Sequence, residues 1–239
     1  MRQTSVLLTP EQGKKLIAKA IATLPEVEET LKNGTILVVA GTTNRYVAEE
    51  LLKKIGEDAK LENFCRGVTL PRGVKQEGMT REDVVIEKGR RVCGKTIFDV
   101  AGSLKAGDLI FKGANAVDLE AHEAAVLVGN PTVGTTLPIL EAVYGRRVRT
   151  MIPVGVEKRV ELPIGTLAAL STDPETAGPR LCPLPGEVFT ELEAISTLYD
   201  LEAEIYAAGG IMGAEGAVYF LCSGEEEELK RFVTDAAKL

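Results

Sequence analysis

The chain has no tryptophan, a single histidine and four cysteines that stand far apart. With His122 alone, a multi-histidine metal site is excluded, and this imidazole is the one histidine base on offer. Cys65, Cys93, Cys182 and Cys222 form no C-x-x-C pair. They read as apolar residues of a reducing compartment, not as a zinc site or a disulfide framework. No apolar run approaches the ~20 residues that span a bilayer. Met1 to Pro10 carries no apolar stretch suited to a signal peptide. Basic excess is also absent: the net charge is −7 and the pI about 5.1, which speaks against a nucleic-acid surface. These absences predict a soluble, cytoplasmic protein with no metal, no cofactor, no nucleic acid and no membrane among its partners. The 239 residues suffice for one large domain, or for one large and one small.

The most informative stretch runs from Thr35 to Ile55. Ile36 to Ala40 is a continuous apolar run, which suits a strand buried on both faces. Gly41 turns the chain. Thr42, Thr43 and Asn44 are residues that favour helix starts. Val47, Ala48, Leu51, Leu52 and Ile55 then repeat at helical spacing. The free N–H groups of such a helix start, with hydroxyls beside them, make an anion site. The same turn also serves merely to cap a helix. A second copy follows Val126 to Gly129, where Gly134, Thr135 and Thr136 open a helix carrying Leu137, Ile139, Leu140, Val143 and Tyr144. Two donor-rich turns at strand ends of one parallel sheet would grip two parts of a phosphorylated ligand.

Around these turns the chain alternates. Thr9, Pro10 and Gln12 form a helix start with a capping box, and a second short helix runs from Glu26 to Lys32. Strands are expected at 63–70, 84–86, 108–112 and 148–156, with a polar loop at 75–83 and a short helix at 95–104. Gly113, Asn115 and Asp118 place small and polar residues at a strand's carboxyl end, where they would either contact a ligand or only turn the chain. Glu120 and Glu123 would share a face if their segment is helical, and with His122 they are the acid–base candidates. Glu157 to Arg159, at the end of the 148–156 strand, would either reach the same cleft or, the favoured reading, form a charged surface turn. The Pro- and Gly-rich stretch 171–186 marks a boundary, which divides the chain into 1–170 and 171–239. Beyond it, with 180–184 as first strand, the tail reads β-α-β-β-α, a small ferredoxin-like lid or dimerisation module. Ser223 to Glu226 reads as a capping box opening the last helix.

Val39 to Thr43, and Asp108 to Asp118 (D-L-I-F-K-G-A-N-A-V-D), resemble the sugar-phosphate sensor domain of DeoR-type repressors. That domain belongs to the group that holds ribose-5-phosphate isomerase, glucosamine-6-phosphate deaminase and the CoA transferases. The resemblance covers roughly residues 34–160. It implies an α/β fold with a Rossmann-like, mostly parallel sheet, helices on both faces, and phosphate held at Gly41 to Asn44. Where ribose-5-phosphate isomerases carry Asp-Gly-Ala-Asp-Glu, this chain has Lys112, Gly113, Ala114, Asn115 and Ala116, so both acidic positions are lost. The residues before the first strand are too few for a winged helix. The expectation is a protein that binds a small phosphorylated, sugar-phosphate-like metabolite as a sensor or non-catalytic relative, and forms a homo-oligomer. The alternatives are an enzyme of the isomerase, deaminase or CoA-transferase type working through Glu120, Glu123 or His122, and a structural oligomeric subunit.

Overall fold

The computed structural model describes residues 2–71, 73–74, 80 and 82–239. Its strands are β1 (Arg2–Leu8), β2 (Thr35–Val38), β3 (Val84–Glu87), β4 (Arg90–Val92), β5 (Leu109–Phe111), β6 (Ala116–Asp118), β7 (Glu123–Val128), β8 (Arg149–Pro153), β9 (Arg180–Leu184), β10 (Glu187–Phe189), β11 (Glu202–Gly209) and β12 (Ala217–Gly224). Its helices are α1 (Pro10–Ile21), α2 (Pro25–Asn33), α3 (Thr42–Lys54), α4 (Ile97–Val100), α5 (Thr136–Leu140), α6 (Ile164–Thr172), α7 (Glu191–Tyr199) and α8 (Glu226–Ala236).

The fold is mixed α/β, with three sheets among the described residues. The largest has six strands in the order β10-β8-β5-β2-β3-β4. The four strands from β10 to β2 are parallel, and β3 and β4 close one edge as an antiparallel hairpin. Alternation along β2 shows why this sheet needs two covers. Ile36 and Val38 face a core shared with α1, α3 and α7, while Leu37 and Val39 face one built from Ile97, Val100, Ile139 and Ala142. The chain therefore buries helices on both faces.

Several expectations change. The 75–83 loop lies largely outside the described residues. The 63–70 stretch is irregular, because Asn63 takes a positive φ of 58° and Phe64 turns into the core. β1 was not legible in advance. It pairs antiparallel with β12, and its Val6 and Leu8 enter the main core. β9 is not the first strand of a C-terminal ferredoxin-like module: it pairs with β7 in the sheet β6-β7-β9, and β1 occupies the place beside β12. β10 intervenes before α7 and adds to the six-stranded sheet. The division expected at residue 170 is thus crossed in both directions, and one core joins residues of both sides. Ser223 belongs to β12, and α8 starts at Glu226, with Glu225 at its N-cap and no side-chain cap.

Candidate functional site

Because β2, β5, β8 and β10 run parallel, the segments that follow them converge on one edge of the sheet. These are Gly41 to Asn44, Lys112 to Ala114, Gly155 to Lys158, and Thr190 with Glu191. This edge holds an unusual share of the buried polar groups.

At the end of β2, Gly41 is the N-cap of α3 and no side chain caps the helix. Thr42 is exposed, Thr43 is buried and Asn44 is fully buried. Asn44 Nδ2 donates to the carbonyls of Val39 at 2.7 Å and Phe111 at 3.0 Å, which ties the end of β2 to the end of β5. Asn44 Oδ1 and Thr43 Oγ1 are buried without a partner. Beside the start of α3 opens a cleft of about 310 Å³ lined by Glu11, Lys14, Thr42, Arg45, Tyr46 and the 63–65 loop. Lys14 comes from α1, whose start is fixed by the Thr9–Gln12 capping box. Arg45 lies 4.5 Å from the centre of the Tyr46 ring.

Next to it, Asp83 is the anchor of the edge. Its carboxylate accepts from Ala40 N at 2.9 Å and Ile97 N at 2.7 Å, and pairs with Arg66 at 2.9 Å. Lys112, half-buried at the end of β5, has its pKa pushed down to about 8 by burial. Asp83 opposes that shift and Arg66 adds to it.

A second polar cluster lies at the ends of β8 and β10. Glu191 is buried, its carboxylate accepts from Val156 N at 2.8 Å, and a Cβ at Gly13 would collide with its Oε1. Burial, then the neighbouring Glu157, pushes its pKa up to about 7. Lys158 donates to the Ala114 carbonyl at 3.1 Å, and burial lowers its pKa. The charged turn at 157–159 therefore packs into the edge: the Glu157 side chain is 19% exposed and that of Lys158 23%.

The sequence-derived candidates separate. Gly41, Thr42, Thr43, Asn44 and Gly113 all lie at this edge, and an added Cβ at Gly113 would sit 4.0 Å from Asn44 Oδ1. Asn115 and Asp118 serve a hairpin. Asn115 Oδ1 accepts from Leu127 N, and Asp118 Oδ1 accepts from the backbone of Glu120 and Ala121. Residues 119–122 are the turn between β6 and β7, not a helix, so Glu120 and Glu123 share no helical face. Glu120, His122 and Glu123 are all exposed, and His122 sits at φ 52°. Nor does the second Gly-Thr-Thr turn end a parallel strand. Gly134, Thr135 and Thr136 follow β7, an antiparallel strand of the small sheet, and open a helix whose five α-helical residues give way to a π-helix over Glu141–Gly145.

Nothing in the sequence singles out Lys14, Arg45, Arg66, Asp83 or Glu191; Lys112 stands out only as a lost acidic position, and Lys158 only as part of the charged turn. A lysine directly behind an apolar strand (L-I-F-K) was the one local signal. The others acquire meaning only from distant partners. Among the described residues no group of three or more His, Cys, Asp and Glu is placed to hold a metal, and no helix is long and apolar enough to cross a membrane. No family model, curated relative or solved structure matches this chain.

Proposed function

We propose that the carboxyl edge of the parallel sheet binds a small phosphorylated metabolite of the sugar-phosphate kind, with its anionic group at the start of α3. The observation that carries this reading is the convergence of three donors on one cleft: the uncapped N-terminus of a thirteen-residue helix, Lys14 and Arg45. The helix end supplies backbone N–H groups and a partial positive charge. The two cations supply charge-assisted hydrogen bonds. The cleft volume of about 310 Å³ is at the small-metabolite end of ligand sites. The resemblance of Val39 to Thr43 to the sugar-phosphate sensor domains supports the same reading, as does a Rossmann-like interpretation of the parallel strands.

Thermal unfolding in the presence of sugar phosphates, nucleotides, acyl-CoAs and inorganic phosphate tests it. A compound at roughly 100 times its dissociation constant stabilises the fold by about 2.7 kcal/mol. The shift is expected with a sugar phosphate, is lost in Lys14→Gln/Arg45→Gln, and persists in Thr135→Val/Thr136→Val. A well-folded sample that no phosphorylated compound stabilises rejects the reading.

A further inference from the structure

Lys112 is the group that the binding reading leaves without a task. It directly follows β5, the strand between β2 and β8, and so sits at the middle of the ligand-facing edge. Its exposure is intermediate, which leaves a route to solvent. Among the described residues its ammonium makes no hydrogen bond, and no carboxylate lies within 4.0 Å of it. The nearest influential carboxylate, Asp83, is already engaged by Arg66 and by the N–H groups of Ala40 and Ile97. Asp83 therefore cannot close on the lysine without giving up Arg66. A partly buried, uncommitted ammonium beside a second cation is costly to the fold. A neutral side chain of similar length would avoid that cost.

We propose that Lys112 is a nucleophilic amine that forms an imine with the carbonyl group of an aldose or ketose phosphate. This rests on the reading of the sheet edge as a phosphorylated-ligand site. In the step, the neutral Nζ lone pair attacks the carbonyl carbon and the carbonyl oxygen takes up a proton to give a carbinolamine. The C–O bond then breaks, water leaves, and a protonated C=N linkage to Nζ remains. Around the amine, burial disfavours the ammonium most, Asp83 favours it, and Arg66, paired with Asp83, adds to the disfavour. The downward shift of the amine towards neutrality follows the same direction. The neighbouring edge holds a buried acceptor without a partner. It is Asn44 Oδ1, and Gly113 lies beside it, where an added Cβ would be 4.0 Å from that oxygen.

The test is reductive trapping. The full chain is mixed with dihydroxyacetone phosphate, glyceraldehyde 3-phosphate or ribose 5-phosphate, sodium cyanoborohydride is added, and the adduct is mapped by peptide mass spectrometry. The expected result is one adduct, on Lys112, at least tenfold above that on any other lysine, and absent in Lys112→Arg and Lys112→Met. Its rate rises as pH passes from 7 to 9. Adducts spread over the surface lysines, with Lys112 unexceptional, overturn the proposal. So does the absence of any adduct from a compound that stabilises the wild type in the thermal assay, an outcome that leaves the binding reading standing. Failure of both assays removes the two together. If neither variant folds, competitive labelling of the wild type with trace acetic anhydride across pH decides: selective, pH-dependent labelling of Lys112 supports the proposal and its protection throughout overturns it.

Discussion

Gly-Thr-Thr opens a helix twice in this chain, and the two turns live in different surroundings. The turn at 41–43 leaves a parallel strand of the large sheet and starts a helix of thirteen residues. The turn at 134–136 leaves an antiparallel strand and starts five α-helical residues that continue as a π-helix through Gly145. Gly41 has an extended φ of −178°, which any residue adopts. Gly134 sits at φ 55°, where glycine relieves real strain, directly after Val133 at φ 53°. Buried groups without partners cluster at the first turn, in Thr43 and Asn44. The second turn is stitched locally, with Asn130 Oδ1 accepting from both the backbone and the hydroxyl of Thr132. Local sequence sets the turn; the strand it leaves decides whether the turn faces a cleft. A motif shared by both places is therefore weak evidence until the sheet is known.

The sharpest way to break the comparison is through Asp83. Asp83→Ala strips Arg66 of its partner and leaves the N–H groups of Ala40 and Ile97 unpaired, so a loss of about 3–5 kcal/mol is expected in urea unfolding. The matching change at the other turn, Asn130→Ala, removes exposed bonds and costs under about 1 kcal/mol. Similar losses at both places would mean that the carboxyl edge is not the better-anchored region.

Much of the local architecture was legible. Thr9 and Gln12 form the capping box that their spacing announced, and the apolar stripe of α3 is buried at Val47, Ala48, Leu51 and Leu52. Such signals are local, and local physics sets them. β1 was missed because its meaning lies in β12, more than two hundred residues away, with Thr4 opposite Cys222 and Val6 opposite Phe220. β7 reads like any apolar strand, and nothing in Val126 to Val128 states which sheet it joins. Glu191 was hidden by a helix-start signal. Thr190 and Glu193 form a capping box, and an acid between them is ordinary in a first helical turn. Its burial comes from Gly13 and Val156, on other elements. The candidate site was legible at Gly41 to Asn44. It stayed hidden wherever a charge gains its role from tertiary neighbours.

The charged groups of the edge give pH signatures that the second turn does not share. The fold holds Glu191 with a pKa raised to about 7, so the neutral carboxyl is the form it favours. That contribution is fully present below the unfolded pKa of about 4.5 and is lost as pH rises from there through about 7. About 3 kcal/mol of stability should disappear across this window, and Glu191→Gln should flatten the slope in urea titrations at pH 5 and 7.5. Lys112 acts at higher pH. Its lowered pKa means that the ammonium costs stability below about pH 8, and that the cost fades towards the ordinary lysine value of 10.5. Lys112→Met should stabilise the protein by about 1–3 kcal/mol at pH 7, with an advantage that shrinks by pH 10. A destabilised Lys112→Met protein would show that the amine is engaged in the fold and is not held in reserve.

The finest distinction concerns one threonine from each copy of the repeated turn, Thr43 and Thr135. Thr43 Oγ1 is buried and has no partner, so the fold carries an unsatisfied hydroxyl at the start of α3. Thr43→Val keeps the branched shape and removes that hydroxyl, and a gain of about 1 kcal/mol is expected for the ligand-free protein. Thr135, in the second copy, is only half-buried and makes no side-chain cap, so Thr135→Val should stay within about 0.5 kcal/mol of the parent. Differential scanning calorimetry of both variants beside the parent resolves the two outcomes. A loss of stability at Thr43→Val would mean that its hydroxyl has a hydrogen-bond partner in solution, supplied by water or a bound molecule. That result would place an occupant at the first turn before any ligand had been named.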